Sequence, residues 1–499
     1  MKQASLAASS ALFALLAAAP VLADVTPEQV WQNWQKLSAG YGQALVADSV
    51  ARDGDTLVVT GMKISMDQDG VKLDGSLEEV RFKDLGNGTV EVTMSDTYPL
   101  TMTTPGETGG PETLEITISQ PGIRMIAAGS ATDTDYTFSA PTVDLTVQAK
   151  QSDTVLADIK ATMQGMSGLY KVIEKGQQST LDSAFLAQSV AFTVDAKDEN
   201  GGTVAMKGDI TGIKASSAGT FLGLDAMENM AQALRDGFTV SGDFSYGAGN
   251  FTIDATEAGK PTKITASNDS ASLIIAMSQQ GLRYAAGGKG VTMAISGADI
   301  PFPELKISYG EAGFDLLMPL AKGDAPEDFS FVTRIVDLAV SDELWAMLDP
   351  TAALPRDPAT LIIETKGTAQ LNVDILDEAA MAALGDAAPG TINSLDITTL
   401  SAKMAGVDLS GTGSATFDNS DLVTFDGVPA PTGKIDLVLK GGNGLLNKLV
   451  SMGLVPEQDA MGARMMLAMF AKPGEGEDVL NSTLEFKDKG FFANGQRLK

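Results

Sequence analysis

Carboxylates are the one abundant side-chain class in this chain that could carry chemistry: 64 Asp and Glu stand among 499 residues that include no His and no Cys. Without imidazole or thiolate there is no zinc, haem or iron–sulfur site of the usual kind, no Ser-His-Asp or Cys-His nucleophile, and no side chain whose ordinary pKa lies between pH 5 and 8. What remains is carboxylate, lysine, hydroxyl and backbone chemistry. A glycosidase needs only two acids at the right separation, but spacing singles out no pair here. Sugar sites also use exposed aromatic platforms. Of the three Trp, Trp31 and Trp34 fall on the apolar side of a helical pattern.

Calcium requires only oxygen ligands, and Asp67-Gln68-Asp69-Gly70 starts like an acidic loop with Glu78 at its twelfth position. The pattern then fails. Val71 stands at position five and Lys72 at position six, where the sharp turn needs glycine, so the segment reads as a charged hairpin turn. Gly86-Asn87-Gly88, Gly411-Thr412-Gly413 and Gly442-Asn443-Gly444 lack the third glycine of a dinucleotide fingerprint, and no glycine-lysine pair is followed by Ser or Thr as a P-loop requires. The sequence implies no cofactor, no metal site and no catalytic residue. Methionines are the remaining oddity. Met452, Met461, Met465, Met466 and Met469 gather near the C-terminus, where flexible thioethers suit either core filling or an adaptable apolar groove for an acyl chain or a protein partner.

The elements that must hold any site are mostly strands. In Thr89–Met94, Thr113–Ile118, Gln370–Ile375 and Lys434–Leu439 every second residue is apolar, the signature of antiparallel strands with one face buried. Turn signals separate them at Asp69-Gly70, Asp84–Gly88, Glu199–Gly202 and Gly247–Asn250. Helical patterns are few. The first has Thr26 as N-cap, Pro27 at the first helical position, Gln29 three residues after the cap, and Val30, Trp31, Trp34 and Leu37 on one side. Others carry Leu224, Met227, Met230, Ala231 and Leu234 before Gly237, run from Asp342 to Leu348, and cover Leu445–Met452 and Gln458–Phe470. The predicted fold class is mainly β (β-rich α+β): elongated, curved antiparallel sheets built from hairpins, with a few bracing amphipathic helices.

Residues 1–23 read as a cleavable signal peptide, with Lys2, an apolar stretch from Leu6 to Ala19, and Val21-Leu22-Ala23 before the cut at Asp24. This predicts export to the periplasm and no retained membrane span. The formal net charge of −29 becomes one unit more negative on loss of Lys2, which opposes nucleic acid and anionic head groups. Ser119-Gln120-Pro121-Gly122-Ile123-Arg124 is echoed by Ser278-Gln279-Gln280-Gly281-Leu282-Arg283, and Asp84–Val90 loosely by Asp243–Gly249. The organisation expected from this is an N-terminal helix over 24–45, a first β unit over 46–207, a second over 208–357 as a duplication of the first, and a C-terminal unit with a helical pair over 358–499.

Three stretches carry a family resemblance: Val30-Trp31-Gln32-Asn33-Trp34; Leu344–Pro350 running into Leu354–Ala359; and Gly490-Phe491-Phe492-Ala493-Asn494-Gly495-Gln496. Together they resemble the exported alphaproteobacterial family called domain of unknown function 2125 (DUF2125), which implies a Gram-negative, periplasmic setting and supplies no catalytic residue. A weaker likeness is to AsmA-type periplasmic proteins, elongated β bodies associated with lipid movement between membranes. The expected function is non-enzymatic binding of an apolar ligand such as lipid, or of an envelope protein partner. The competing expectation is a carboxylate-dependent periplasmic enzyme acting on glycans.

With no His or Cys and no intact calcium loop, chelation removes nothing that stabilises the folded state. The melting temperature is expected to be the same with and without EDTA, and a reproducible fall of several degrees would reveal an oxygen-ligand metal site.

Overall fold

The computed structural model describes residues 24–40, 42–68, 70–105, 111–130, 132–151, 154–176, 178–198, 201–223 and 228–499. The expected leader at 1–23 lies outside them, as do Asp69, Glu199 and Asn200 of the expected turns and Leu224 and Met227 of the second expected helix. Among the described residues strand makes up 64% and helix 12%, so the fold is mainly β, with one large antiparallel sheet.

The sheet is a meander whose long strands alternate with pairs of short ones laid end to end. β1 (Ala44–Val46) and β2 (Ser49–Asp53) share one edge of β3 (Thr56–Gln68), which pairs with β4 (Val71–Asp84). Next, β4 holds β5 (Thr89–Met94) on one half and β6 (Thr97–Thr104) on the other. They pair in turn with β8 (Arg124–Gly129) and β7 (Glu112–Ser119), and both rows close on β9 (Asp133–Gln151).

After β10 (Thr154–Lys175) and β11 (Gln178–Lys197) the same pattern recurs. β12 (Thr203–Phe221) holds β13 (Thr239–Tyr246) and β14 (Gly249–Glu257); these pair with β16 (Ser270–Ser278) and β15 (Lys260–Asn268), and both rows close on β17 (Gly281–Gly297). The topology is thus repeated, but the sequence echo falls at unequal places in it. Ser119–Arg124 turns β7 into β8, whereas Ser278–Arg283 turns β16, the counterpart of β8, into β17. The expected break between residues 207 and 208 lies inside β12, and the ladder runs through it.

The meander continues through β18 (Leu305–Met318), β19 (Glu327–Val340), β20 (Ala359–Leu371), β21 (Gly390–Met404), β22 (Val407–Asp418) and β23 (Ala430–Lys440). It ends in β24 (Lys472–Pro473), β25 (Val479–Lys487), β26 (Gly490–Ala493) and β27 (Gln496–Arg497).

Six helices accompany the sheet among the described residues. α1 (Pro27–Gly40) begins with the expected reciprocal cap: the Thr26 N–H donates to Gln29 Oε1 at 2.9 Å, and the Gln29 N–H to Thr26 Oγ1 at 3.3 Å. Its Val30 and Trp31 are buried over Leu57, Val59, Val80, Phe82, Val90 and Val92, and Trp34 meets the Phe82 ring edge-on at 5.2 Å. α2 (Met230–Arg235) is capped by Asn229 and contributes Ala233 and Leu234 to a second, smaller core with Phe238 and Leu320.

Past α3 (Asp342–Leu348), the buried Asp349 carboxylate accepts hydrogen bonds from the Leu354 and Ala353 amides at 2.7 and 3.0 Å and from Thr351 Oγ1 at 3.1 Å. These bonds, the Leu354 amide foremost, hold its carboxyl below the usual carboxylate range. α4 (Glu378–Leu384) escapes sequence reading because its alanine-rich turns bury no residue and show no apolar stripe. α5 (Gly442–Ser451) and α6 (Glu457–Phe470) form the expected C-terminal pair.

Most of the sheet is a single layer: none of the 22 residues of β10 is fully buried. A seam crosses it where the alternation slips by one residue. In β3 the buried apolar positions are Leu57 and Val59 before the seam and Met62 after it; in β4 they are Leu77 before it and Val80 and Phe82 after it. An unbroken strand would send the second set to the opposite face. Instead Gly61 takes φ +59 in mid-strand and resets the phase, as do Gly165, Gly212 and Gly290 further along.

The seam follows the junctions between end-to-end short strands. The Asp48 N–H, at the β1–β2 junction, donates to the carbonyls of Thr60 and Gly61. The Gly247 N–H, at β13–β14, donates to the Thr211 carbonyl at 2.7 Å, and the Asp269 N–H, at β15–β16, to the Lys289 carbonyl at 2.9 Å. A Cβ on Gly61 would lie 2.3 Å from Asp48 Oδ2, and one on Gly290 2.1 Å from Asp269 Oδ2.

Gly61→Ala and Gly290→Ala are therefore expected to destabilise the protein by at least about 1–2 kcal/mol each, the cost of a left-handed backbone for an L residue. Gly462→Ala, in open space within α6, is the control and should be neutral or slightly stabilising. Urea denaturation midpoints check both; seam variants indistinguishable from wild type would refute the phase-reset role.

Candidate functional site

With the phase reset at the seam, the apolar side chains of both strand halves stand on one face. Above the seam, Ala161, Phe192, Gly208, Phe251, Ala266 and Met293 follow one another across β10, β11, β12, β14, β15 and β17, each opposite the next. Large and small residues alternate in this row. A Cβ on Gly208 would come within 2.7 Å of Phe192 Cζ and 2.8 Å of Phe251 Cδ1, so the two rings lean over the bare backbone from either side. Below the seam a second row passes through Phe138, Gly168, Phe185, Ala215, Phe244 and Leu273, then Ala286, Phe314, Thr333 and Ile363. Neither row contains a charged residue.

The opposite face is polar. Thr146, Lys160, Thr193, Lys207 and Thr252 form its matching row, and cross-strand ion pairs decorate it, among them Lys150–Glu115 at 2.5 Å, Lys171 with Asp133 and Asp135 at 3.1 Å each, and Arg283–Asp315 at 2.9 Å. Exposed pairs of this kind add little stability individually. They leave the carboxylates engaged in structure: Glu364, for example, is bonded by Arg334 and by Thr399 and held below its ordinary pKa, Arg334 being the larger cause.

Helices cover the apolar face only in part. α1 lies over its first strands, and the α2 core, with Ile375 and Leu376, packs on Val240, Met277, Leu282 and Met318. Between these covers Phe244, Ile275, Tyr284 and Phe331 keep 37–40% of their surface in water. Ile275, Tyr284, Leu316 and Phe331 are successive partners across four strands, so the exposure is one contiguous patch. A cavity of about 310 Å³ opens where α1 ends, between Trp34 of the helix and Met125, Phe138 and Val172 of the sheet. Another, of about 330 Å³ and almost wholly apolar, lies at the far end between Ile397, Ile435 and Phe486 and the loop residues Phe425 and Val428.

The residues singled out in the sequence fall elsewhere. Met461, Met465, Met466 and Met469 project from α6 with 55–66% of their surface exposed, and Met452 caps α5 half-buried; none lines the two cavities. Asp67 forms an exposed ion pair with Lys72 across the β3–β4 hairpin at 3.5 Å, and Glu78 stands at the seam of β4. No group of three or more Asp or Glu among the described residues could hold a metal ion, and no helix among them is long and apolar enough to cross a membrane. Sequence reasoning missed the apolar face itself, although its signal was present as odd-numbered apolar residues, Leu181 and Phe185, giving way to even-numbered ones, Val190, Phe192 and Val194.

A family model described as an uncharacterized protein conserved in bacteria (DUF2125) matches residues 242–495, and the chain belongs to that family. The match begins in β13 and includes the Asp349 loop and most of the closing Gly490–Gln496 motif, while the Val30–Trp34 motif lies outside it. No curated protein and no solved structure matches the chain, and the AsmA likeness gains no support.

Because Met465 and Met469 are exposed, Met465→Asp and Met469→Asp are expected to change stability by no more than about 0.5 kcal/mol each, the range of ordinary surface substitutions. Thermal melts check this, and a drop of many degrees would place these side chains in a core.

Proposed function

We propose that this member of the DUF2125 family is a non-enzymatic periplasmic protein that carries lipid acyl chains on the apolar face of its sheet. The observation that supports the reading is the contiguous exposure of Ile275, Tyr284 and Phe331 on a face whose two long rows hold no charge. Exposed apolar area costs about 25 cal/mol per Å², and a patch of this kind on a protein of formal net charge −29 marks a binding surface.

Dimensions favour chains over compact ligands. The row from Phe138 to Ile363 crosses ten strand positions, roughly 43 Å at about 4.8 Å per step. That exceeds the roughly 15 Å depth of one leaflet of a 30 Å hydrocarbon core, so the face has room for more than one acyl chain. An apolar segment of an envelope protein is the other occupant such a face could take. A carboxylate-based enzyme has less support, since Glu115, Asp133, Asp135, Asp315 and Glu364 on the polar face are engaged in cross-strand pairs.

Protein purified from its own periplasm is expected to release lipid on extraction and to show lipid adducts in native mass spectrometry. A double variant, Ile275→Asp with Phe331→Asp, should lose most of that lipid while keeping a β-type circular dichroism spectrum, since both positions are already more than a third exposed. Wild-type protein that neither carries lipid nor takes it from vesicles would sink the reading, and a co-purified polypeptide in its place would favour the envelope partner. Loss of lipid on Met465→Asp with Met469→Asp, but not on the sheet double variant, would move the site to α6.

A further inference from the structure

We propose that the cavity beside α1 is a headgroup site and that it selects lipids carrying a primary ammonium. The inference rests on the lipid-carrier reading and adds the ligand's chemical class. Two ends of this cavity differ. Along β9 and β10 its lining runs in register from Thr134 opposite Val172, at the sheet margin, through Tyr136 opposite Tyr170, to Phe138 opposite Gly168. Phe138 and Gly168 begin the lower apolar row, so a ligand lying there has its tail directed onto the uncovered face. Its polar end would lie at the margin, among Asn33, Thr134, Tyr136 and Glu174.

Those polar groups are not equivalent. Asn33 Nδ2 donates to Thr134 Oγ1 at 3.3 Å, and the Asn33 side chain also pairs with Tyr136, whose phenol burial pushes up to about 12 and keeps neutral. Glu174 is half-buried and forms no ion pair among the described residues. Lys171, the nearest cation on its own strand besides the exposed Lys175 at the hairpin end, stands on the opposite face and is bonded to Asp133 and Asp135. Glu174 is thus a half-buried carboxylate beside hydroxyl and amide dipoles, facing the cavity with no cation paired to it among the described residues. An ammonium there makes a charge-assisted hydrogen bond, roughly twice as strong as a neutral one, whereas a headgroup with net negative charge meets repulsion from Glu174 and from a protein of formal charge −29.

The test uses the full mature chain with vesicles of phosphatidylethanolamine, of its N-acetylated derivative, or of phosphatidylglycerol, all with identical acyl chains, and reads bound lipid by native mass spectrometry. Wild type is expected to prefer the free-amine lipid by about tenfold, a typical value of one charge-assisted bond. Glu174→Gln, which keeps shape and hydrogen bonding, should cut that preference several-fold without lowering capture of phosphatidylglycerol. Equal binding of the three lipids by wild type, or an unchanged preference in Glu174→Gln, overturns the headgroup site and leaves the carrier reading standing. Failure of all three to bind overturns both.

Discussion

Everything in this structure depends on keeping apolar side chains on one face of a sheet that is, for most of its extent, one layer thick. Alternation alone cannot do it over strands of up to 22 residues, because the long strands are two short amphipathic segments joined out of phase. The seam reconciles them. At the β1–β2, β13–β14 and β15–β16 junctions between end-to-end short strands, the neighbouring long strand spends one residue on a phase change, and the junction supplies an amide to a carbonyl of that strand. Glycine serves this purpose at Gly61 and Gly290 because the junction aspartate occupies the space a side chain would need. Without the reset, half of each long strand would show its apolar residues to the charged face, and the ladder of opposed Phe, Ile and Leu residues that gives each pair its stabilisation would be lost.

Much of the architecture was legible in the sequence for local reasons. Strict alternation in Thr89–Met94 and Lys434–Leu439 marked strands, and Thr26, Pro27 and Gln29 marked the start of α1 through bonds three residues apart. What was not legible is non-local. The echoed turns at Ser119 and Ser278 suggested a duplication, yet the repeat of one long strand, four short strands and one long strand is defined by pairing partners up to tens of residues apart, and the two turns occupy unequal places in it. α4 lacked a signal of its own kind, since an alanine-rich helix that buries nothing has no stripe. The apolar face was overlooked because each strand in isolation looks like the edge of an ordinary two-layer sheet; only the scarcity of helices to cover it shows that a second layer is missing. The clustered methionines drew attention instead, and they stand on the outside of α6.

The motif around Asp349 illustrates how a chemically suggestive residue can be structural. A buried carboxylate in a short loop invites a catalytic reading, but its oxygens are taken by two backbone amides and a threonine hydroxyl within five residues, and its lowered pKa follows from those bonds. Glu364 likewise has named partners in Arg334 and Thr399. Glu174 differs because it is half-buried on the apolar side and its neighbours are neutral, which is why it carries weight that 64 acids as a population do not.

A single-layer sheet with a bare apolar face is stabilised mainly by its ladders and by the two regions where helices provide a second layer. α1 with its tryptophans closes the first strands, and the α2 core closes one margin of β13 to β18. The middle has neither, so its stability is the part most open to change by whatever lies on it. A ligand that binds only the folded sheet adds RT ln(1 + [L]/Kd) to stability, and here that increment would act where packing is thinnest. Cover by an acyl chain and cover by a helix are physically the same service, removal of Phe, Ile and Tyr surface from water. α1 shows that this sheet accepts such a cover along its first strands, and on the proposed carrier reading the cavity at the end of α1 is where that fixed cover gives way to an exchangeable one.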